Sequence, residues 1–191
     1  MSVEEKVVYF SKPGEENTDS TLRLAKEYAE KYGIKHVIVA STTGKTALKA
    51  VEVFKGFNLV VVTHSTGFVK PNFQEMPNEI RERVKAKGAK VLTCTHALAG
   101  VERAFRREFG VWLPVELIAI ALRRIFCEGV KVAIEIALMS VDAGLIPENE
   151  DIIAIAGTGR GADTALHIKS ASTSNFLRLK VRRIICKPDT F

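Results

Sequence analysis

Apolar residues follow two alternating patterns along this chain. Short continuous apolar runs of strand length are separated by longer stretches in which apolar positions return every third or fourth residue. The runs over 7–10, 36–40, 59–63, 90–93 and 151–156 predict strands, and Leu59-Val60-Val61-Val62-Thr63 is apolar enough to be buried on both faces. Between the first two runs, Leu22, Ala25, Tyr28, Ala29 and Tyr32 make one helical stripe, with Asn17 as the expected N-cap and Gly33 as the stop. Ala47, Leu48, Val51 and Phe54 make a second stripe, closed by Gly56.

Further helices are expected over 78–87, after 95–97 through Val101, Ala104 and Phe105, over 115–126 behind Pro114, and over 130–143. The last is apolar nearly all round, so it should be packed on most sides or lie at a subunit interface. Short strands are expected over 164–168 and 181–186. Across Leu177-Arg178-Leu179-Lys180-Val181-Arg182 apolar and basic residues alternate, the pattern of a half-exposed or edge strand. Strands alternating with helices predict a single α/β domain over 1–191, a three-layer α/β/α arrangement on a mostly parallel sheet.

In such sheets ligands lie beyond the carboxyl ends of the strands. The segments falling there are SKPGEENT, STTGKT, THSTG, TCTHALAG and GTGRGAD, all polar and glycine-bearing. The loop over 64–77 is also long enough to suggest a functional role. The pattern therefore predicts both a fold and the edge that carries a site.

Composition narrows the options. The chain has 191 residues, 47% of them hydrophobic and 26% charged, which suits a globule with a sizeable core. The net charge is +6, but Lys and Arg are interleaved with Asp and Glu. No tract or RNA-binding aromatic signature appears, so no nucleic-acid partner is expected, whereas a basic surface does favour a small phosphorylated ligand. The three cysteines have no metal or disulfide spacing, and no metal is expected. No signal peptide or membrane span is read, and the expected location is cytoplasmic.

Val37-Ile38-Val39-Ala40 runs straight into Ser41-Thr42-Thr43-Gly44-Lys45-Thr46 and then a helix. Such a turn aims free N–H groups and the positive helix end at one spot, where a phosphate fits. Gly44-Lys45-Thr46 mimics the end of a nucleotide-triphosphate loop, but Val39 stands where that loop needs glycine and no carboxylate ends a neighbouring strand, so an NTPase is rejected. The hydroxyls also suit plain helix capping. Gly157-Thr158-Gly159-Arg160-Gly161-Ala162-Asp163 allows close backbone approach to a ligand, with Arg160 as a charged contact, or is a tight turn serving geometry alone. It precedes a strand, which speaks against a dinucleotide fingerprint. His36 and His167 are expected to be structural. His64 and His96, beside Thr63 and Thr95 at strand ends, either touch a ligand or are ordinary loop histidines, and no carboxylate partner is evident for them. No nucleophile–base order is legible.

The strand-STTGKTA-helix-NLVVVT unit and the DIIAIAGTGRGADTALHI unit resemble the C-terminal α/β domain of pyruvate kinase. In that family the first loop has the form T-K-S-G-R-S-A and holds a phosphate of a sugar-bisphosphate effector, and a late glycine loop closes over the same ligand. The resemblance thus implies Ser41, Thr42, Thr43, Gly44, Lys45 and Thr46 as phosphate loop and Gly157 to Asp163 as closing loop. It implies a homo-oligomer, since that domain supplies a subunit contact. It implies no pyruvate kinase activity, because the chemistry of those enzymes resides in a separate barrel domain. The chain is also similar to an archaeal-type family of free-standing domains through Asn17-Thr18 after the first strand, AST-x-G-x-TA over 40–47, EIALM over 135–139 and GADTAL over 161–166. That similarity implies flavin mononucleotide (FMN) as cofactor. Its phosphate would sit at 41–46, its ribityl chain near Thr63, Ser65 or Asn17, and its ring across Thr95, His96 and Gly157, Thr158, Gly159, Arg160 and Gly161. Two functions follow as expectations: an FMN protein, with flavin-dependent oxidoreductase activity as its extension, or a non-catalytic sensor of a sugar phosphate.

Overall fold

The three central apolar runs become strands that are buried on both faces, each successive side chain entering the opposite core. The computed structural model describes residues 3–191. In β2 (His36–Ala40), Val37 and Val39 enter one core and Ile38 the other. In β3 (Asn58–Val62) the split is Leu59 and Val61 against Val60 and Val62. In β5 (Asp151–Ala156) it is Ile153 and Ile155 against Ile152, Ala154 and Ala156. Each wholly buried valine or isoleucine contributes roughly 2 kcal/mol, so these three strands anchor the fold.

Helices cover both faces. The apolar stripes of α1 (Thr18–Tyr32), α2 (Lys45–Val53) and α3 (Asn78–Ala86) close one core through Leu22, Ala25, Ala47, Ala50 and Val84. On the other side lie α4 (Glu102–Phe109), α5 (Pro114–Ile125) and α6 (Glu128–Asp142), with Ala119, Val130, Ala133 and Ala137 packed on the sheet. The three-layer α/β/α arrangement is as the sequence predicts.

With β1 (Val8–Phe10), β4 (Lys90–Leu92), β6 (Thr164–Lys169) and β7 (Lys180–Pro188), the sheet order is β1-β7-β6-β5-β2-β3-β4. The β1–β7, β2–β3, β2–β5 and β3–β4 pairs are parallel, and β6 is antiparallel to both its neighbours. From β2 the chain proceeds outward to β3 and β4. It then returns through α4, α5 and α6 to place β5 on the other side of β2. The β2/β5 boundary is therefore the point where strand order reverses, and a crevice opens there at the carboxyl ends.

Three local expectations change. Asn17 does not cap α1: its side-chain amide donates to the carbonyls of Lys12 (2.8 Å) and Gly14 (3.3 Å), because the turn before the helix is a 3-10 turn over Glu15–Asn17. Residues 97–101 form turns, and α4 begins only at Glu102. Leu177 lies in a 3-10 turn over Thr173–Arg178, not in a strand. Strand β7 is half-exposed as its alternating pattern predicts: β1 pairs only with its far end, Cys186 to Pro188, and its first residues are exposed. The apolar helix α6 is buried inside its own subunit, which removes it as an interface. Among the described residues no helix is long and apolar enough to cross a membrane.

Candidate functional site

A cleft of about 980 Å³ opens at the β2/β5 boundary. One wall is the turn from β2 into α2. Ser41 is buried there, and its hydroxyl accepts the Ala47 N–H at 3.1 Å. That bond satisfies one N–H of the first helical turn. The N–H groups of Lys45 and Thr46 have no partner among the described residues. Free donors at a helix N-terminus suit an anion. Gly44 makes the turn possible: its φ is +91°, and a Cβ would come within 2.2 Å of Ile80 Cγ2. The side chains of Thr42, Thr43, Lys45 and Thr46 line the cleft, with Lys45 exposed at the mouth.

The facing wall is the loop from Gly157 to Gly161, held by buried Asp163. One carboxylate oxygen of Asp163 accepts the N–H groups of Gly14 (3.1 Å) and Thr158 (3.0 Å), and the other accepts the Thr164 hydroxyl (2.8 Å). Thr18 adds a second tie, accepting the Ala162 N–H at 3.0 Å. Gly161 packs so closely on the 3-10 turn that a Cβ would lie 2.4 Å from Glu15 Cα. The Thr158 hydroxyl oxygen is buried without a partner and lines the cleft.

Of the sequence-predicted residues, Ser41, Thr42, Thr43, Lys45, Thr46, Thr63, His64, His96, Gly157, Thr158, Gly159, Arg160 and Gly161 line this cleft. Asn17, Gly44, Ser65, Thr95 and Asp163 do not. Asn17 is engaged by its own loop, Gly44 faces Ile80, and Asp163 faces inward to fasten the loop. The Thr63 hydroxyl is 2.8 Å from the His64 carbonyl and 2.6 Å from the Thr93 hydroxyl.

The two histidines differ. His64 has a carboxylate partner after all, Glu75 from the same long loop, with Nδ1 to Oε2 at 2.7 Å. Its ring packs at a tilt on Phe68 (4.1 Å between centroids), which stacks on His96 (5.1 Å). His96 accepts the Ser65 N–H through Nε2 at 3.3 Å. Burial pushes its pKa down to about 4, with the charges of Lys131 and Arg103 acting in the same sense and that of Glu135 opposing. The ring is therefore neutral at neutral pH, with its proton on Nδ1.

The floor of the cleft is α6, where the sequence shows only apolar periodicity. Lys131 and Glu135, one turn apart, are both almost wholly buried, with Nζ to Oε2 at 2.5 Å. Glu135 also accepts the Leu98 N–H at 2.9 Å, tying α6 to the loop after β4. Burial lowers the pKa of Lys131, and Glu135 opposes that shift. Val132, Ile136 and Met139 add an apolar strip on the same helix face. Among the cleft's charges, Lys49 pairs with Asp19 (2.7 Å), Arg123 with Glu128 (2.6 Å) and Lys131 with Glu135. Lys45, Arg103 and Arg160 are left as cations without an ion pair among the described residues, against Glu15 and Glu16. An i, i+4 Lys–Glu pair was the one signal in the sequence for this buried pair.

An α/β domain with a broad cleft at the reversal point of its sheet defines a fold class that hosts many activities and does not name one. Within that class the assignment is specific. The family model for the pyruvate kinase alpha/beta domain matches residues 19–168, and the chain belongs to that family. Among solved structures, a pyruvate kinase of Cryptosporidium parvum in complex with ADP is similar at 15% identity and a TM-score of 0.41, over 88% of this chain and 23% of that one. An NH3-dependent NAD synthetase of Campylobacter jejuni, in complex with nitrate, is similar at 14% identity and a TM-score of 0.36, over 72% of this chain and 54% of that one. The chain thus spans about a quarter of the one enzyme and about half of the other, and neither activity follows for it.

Proposed function

We propose that the cleft binds FMN, with the phosphate on the turn over 41–46. The observation that carries this reading is the pair of N–H groups of Lys45 and Thr46, without a partner among the described residues, on a turn that lines the same cleft of about 980 Å³ as the Gly157–Gly161 loop. That volume lies at the upper end of the range for small-molecule sites. The site fits the group on three counts. Lys45 and Arg160 supply charge for the phosphate, the buried Thr158 hydroxyl can meet a ribityl oxygen, and Val132, Ile136 and Met139 offer an apolar surface for a flat ring. A bound flavin would supply electron or hydride transfer, and this chain's residues would bind it, orient it and exclude water. Flavin-dependent oxidoreductase activity is the extension of this reading.

The test is the visible spectrum and flavin fluorescence of the purified protein on titration with FMN. Saturable quenching at one FMN per chain is the expected result. A colourless protein that leaves added FMN unquenched overturns the proposal.

A second reading is a non-catalytic sensor of a sugar phosphate, supported by the hydroxyls of Thr42, Thr43, Thr46 and Thr158 around the same cleft. Thermal-shift measurements separate the two by mass action. A rise in Tm with fructose bisphosphate and none with FMN favours the sensor.

The protein is further proposed to be a homo-oligomer. Its support is the apolar surface on α4, α5 and the turn between them, where Phe109 is 67% exposed, Trp112 46% and Ile125 68%.

A further inference from the structure

Beside the main cleft lies a second cavity of about 260 Å³, separated from it by Phe68 and His96. Among the described residues, the charged ones lining it are Arg103 and Arg107, one turn apart on α4, and no carboxylate lines it. Like charges at this spacing repel by a few tenths of a kcal/mol, which an anion beside them would relieve. Glu135 and Glu116 favour the charged form of Arg103, but each is paired elsewhere, Glu135 with Lys131. Glu116 pairs with Arg106 at 2.8 Å, and Glu102 accepts the Glu116 N–H at 3.0 Å. Neither Arg103 nor Arg107 forms an ion pair among the described residues.

Arg103 is already held in place. Its guanidinium lies 4.9 Å over the Phe68 ring, and its Nε is buried with no hydrogen-bond partner. A buried donor on a cation is costly to leave unpaired, so it marks a position where an acceptor is missing. Hydroxyls of Ser65, Thr66 and Thr95 complete the lining. Ser65 and Thr95, which the sequence places at strand ends and the main cleft leaves out, thus meet at this smaller cavity.

We propose that this cavity is a second ligand subsite, which takes one small oxyanion, a carboxylate or a phosphate group, on the Arg103 and Arg107 guanidiniums. Its size excludes a nucleotide. The planar fork of each arginine matches two oxygens of such a group. Because Phe68, His96 and Arg103 border both spaces, an anion held here lies against the same wall as the occupant of the main cleft. The chemical class is a small anionic co-ligand bound beside the main ligand. The subsite does not depend on what the main cleft holds.

The experiment is NMR titration of the arginine Nε–H signals, with the Arg107 signal assigned by its loss in Arg107→Gln and the Arg103 signal by its loss in Arg103→Lys. Inorganic phosphate and malonate serve as probes in separate titrations at physiological ionic strength. The titrations are repeated in a Lys45→Ala/Thr43→Ala background, which disables the anion turn of the main cleft. The Arg103 and Arg107 signals should move saturably with one or both probes in either background, and the probe that binds more tightly tells phosphate from carboxylate. Arg107 is exposed, so Arg107→Gln should fold, and it should weaken the affinity read at Arg103 by about tenfold, the loss of one charge-assisted contact. Static arginine signals with both probes, or an affinity unchanged in Arg107→Gln, overturn the subsite. No flavin enters these measurements, so their failure and the failure of FMN binding are independent results.

Discussion

The Asp163 carboxylate accepts the Gly14 N–H at 3.1 Å, joining loops 149 positions apart in the chain. The same oxygen accepts the Thr158 N–H, so one buried side chain sets the distance between the 3-10 turn and the glycine loop that faces the cleft. Asp163 is a positioning residue and does not touch the ligand space.

Replacing Asp163 with alanine strands the Gly14 and Thr158 N–H groups and leaves the Thr164 hydroxyl with only the Cys127 thiol beside it. Stability should fall by about 2 kcal/mol or more, measured by urea unfolding, since each buried unsatisfied donor costs about 1–3 kcal/mol. FMN affinity should fall with it, because the loop loses its fixed position. Full stability in Asp163→Ala would contradict this role.

Lys131→Met should be more damaging than a surface change. It leaves the Glu135 charge buried with the Leu98 N–H as its remaining donor, a loss of about 3–5 kcal/mol by urea unfolding. Lys131→Met/Glu135→Gln should recover most of that, because glutamine is neutral and still accepts from Leu98. A double variant no better than the single one would show that the ion pair is not the cause.

Burial holds His96 at about 4, below the ordinary value of 6.5 in the unfolded chain. Between those values the unfolded state binds more protons, so stability falls as pH drops from about 6.5 and reaches its limit near 4. The contribution is roughly 3 kcal/mol at full effect. His96→Gln, which keeps an acceptor for the Ser65 N–H, should flatten the stability profile between pH 7 and 5. An unchanged slope would assign it to other groups.

Lys45→Ala together with Thr43→Ala should raise the Kd for FMN by about tenfold or more, with stability unchanged within about 0.5 kcal/mol. Lys45 is exposed and Thr43 only half-buried, so the fold does not need them. Equal quenching curves for variant and wild type would move the phosphate elsewhere.

Light scattering on the eluting protein should give a multiple of the monomer mass. Phe109→Glu with Ile125→Glu should reduce it to the monomer, because a charge in an apolar contact is desolvated without a partner. A wild-type monomer would refute the oligomer.

Much of the fold was legible because both periodicities are local. Val37, Ile38 and Val39 read as a buried strand from their own composition, and Leu22, Ala25 and Ala29 as a helix stripe from their spacing. The two walls of the cleft were legible for the same reason: a strand-to-helix turn and a glycine loop announce themselves within a few residues. What failed were features needing a partner from elsewhere. Asn17 has the chemistry of an N-cap, but the 3-10 turn before α1 redirects its amide to Lys12 and Gly14. His64 showed no carboxylate because Glu75 reaches it only when the loop folds back.

The sequence by itself determined the order of strands and helices, the polar edge that carries the site, and the turn over 41–46 with its free helix N-terminus. These rest on interactions between residues a few positions apart. The tertiary structure alone decided that β5 lies beside β2, which brings Gly157–Gly161 opposite that turn. It alone placed Lys131 and Glu135 on the cleft floor, turned Asp163 inward, and gathered Arg103, Arg107, Ser65 and Thr95 around a separate cavity. Those outcomes depend on which surfaces bury one another across the sheet, and burial between distant segments leaves no periodic trace in the chain.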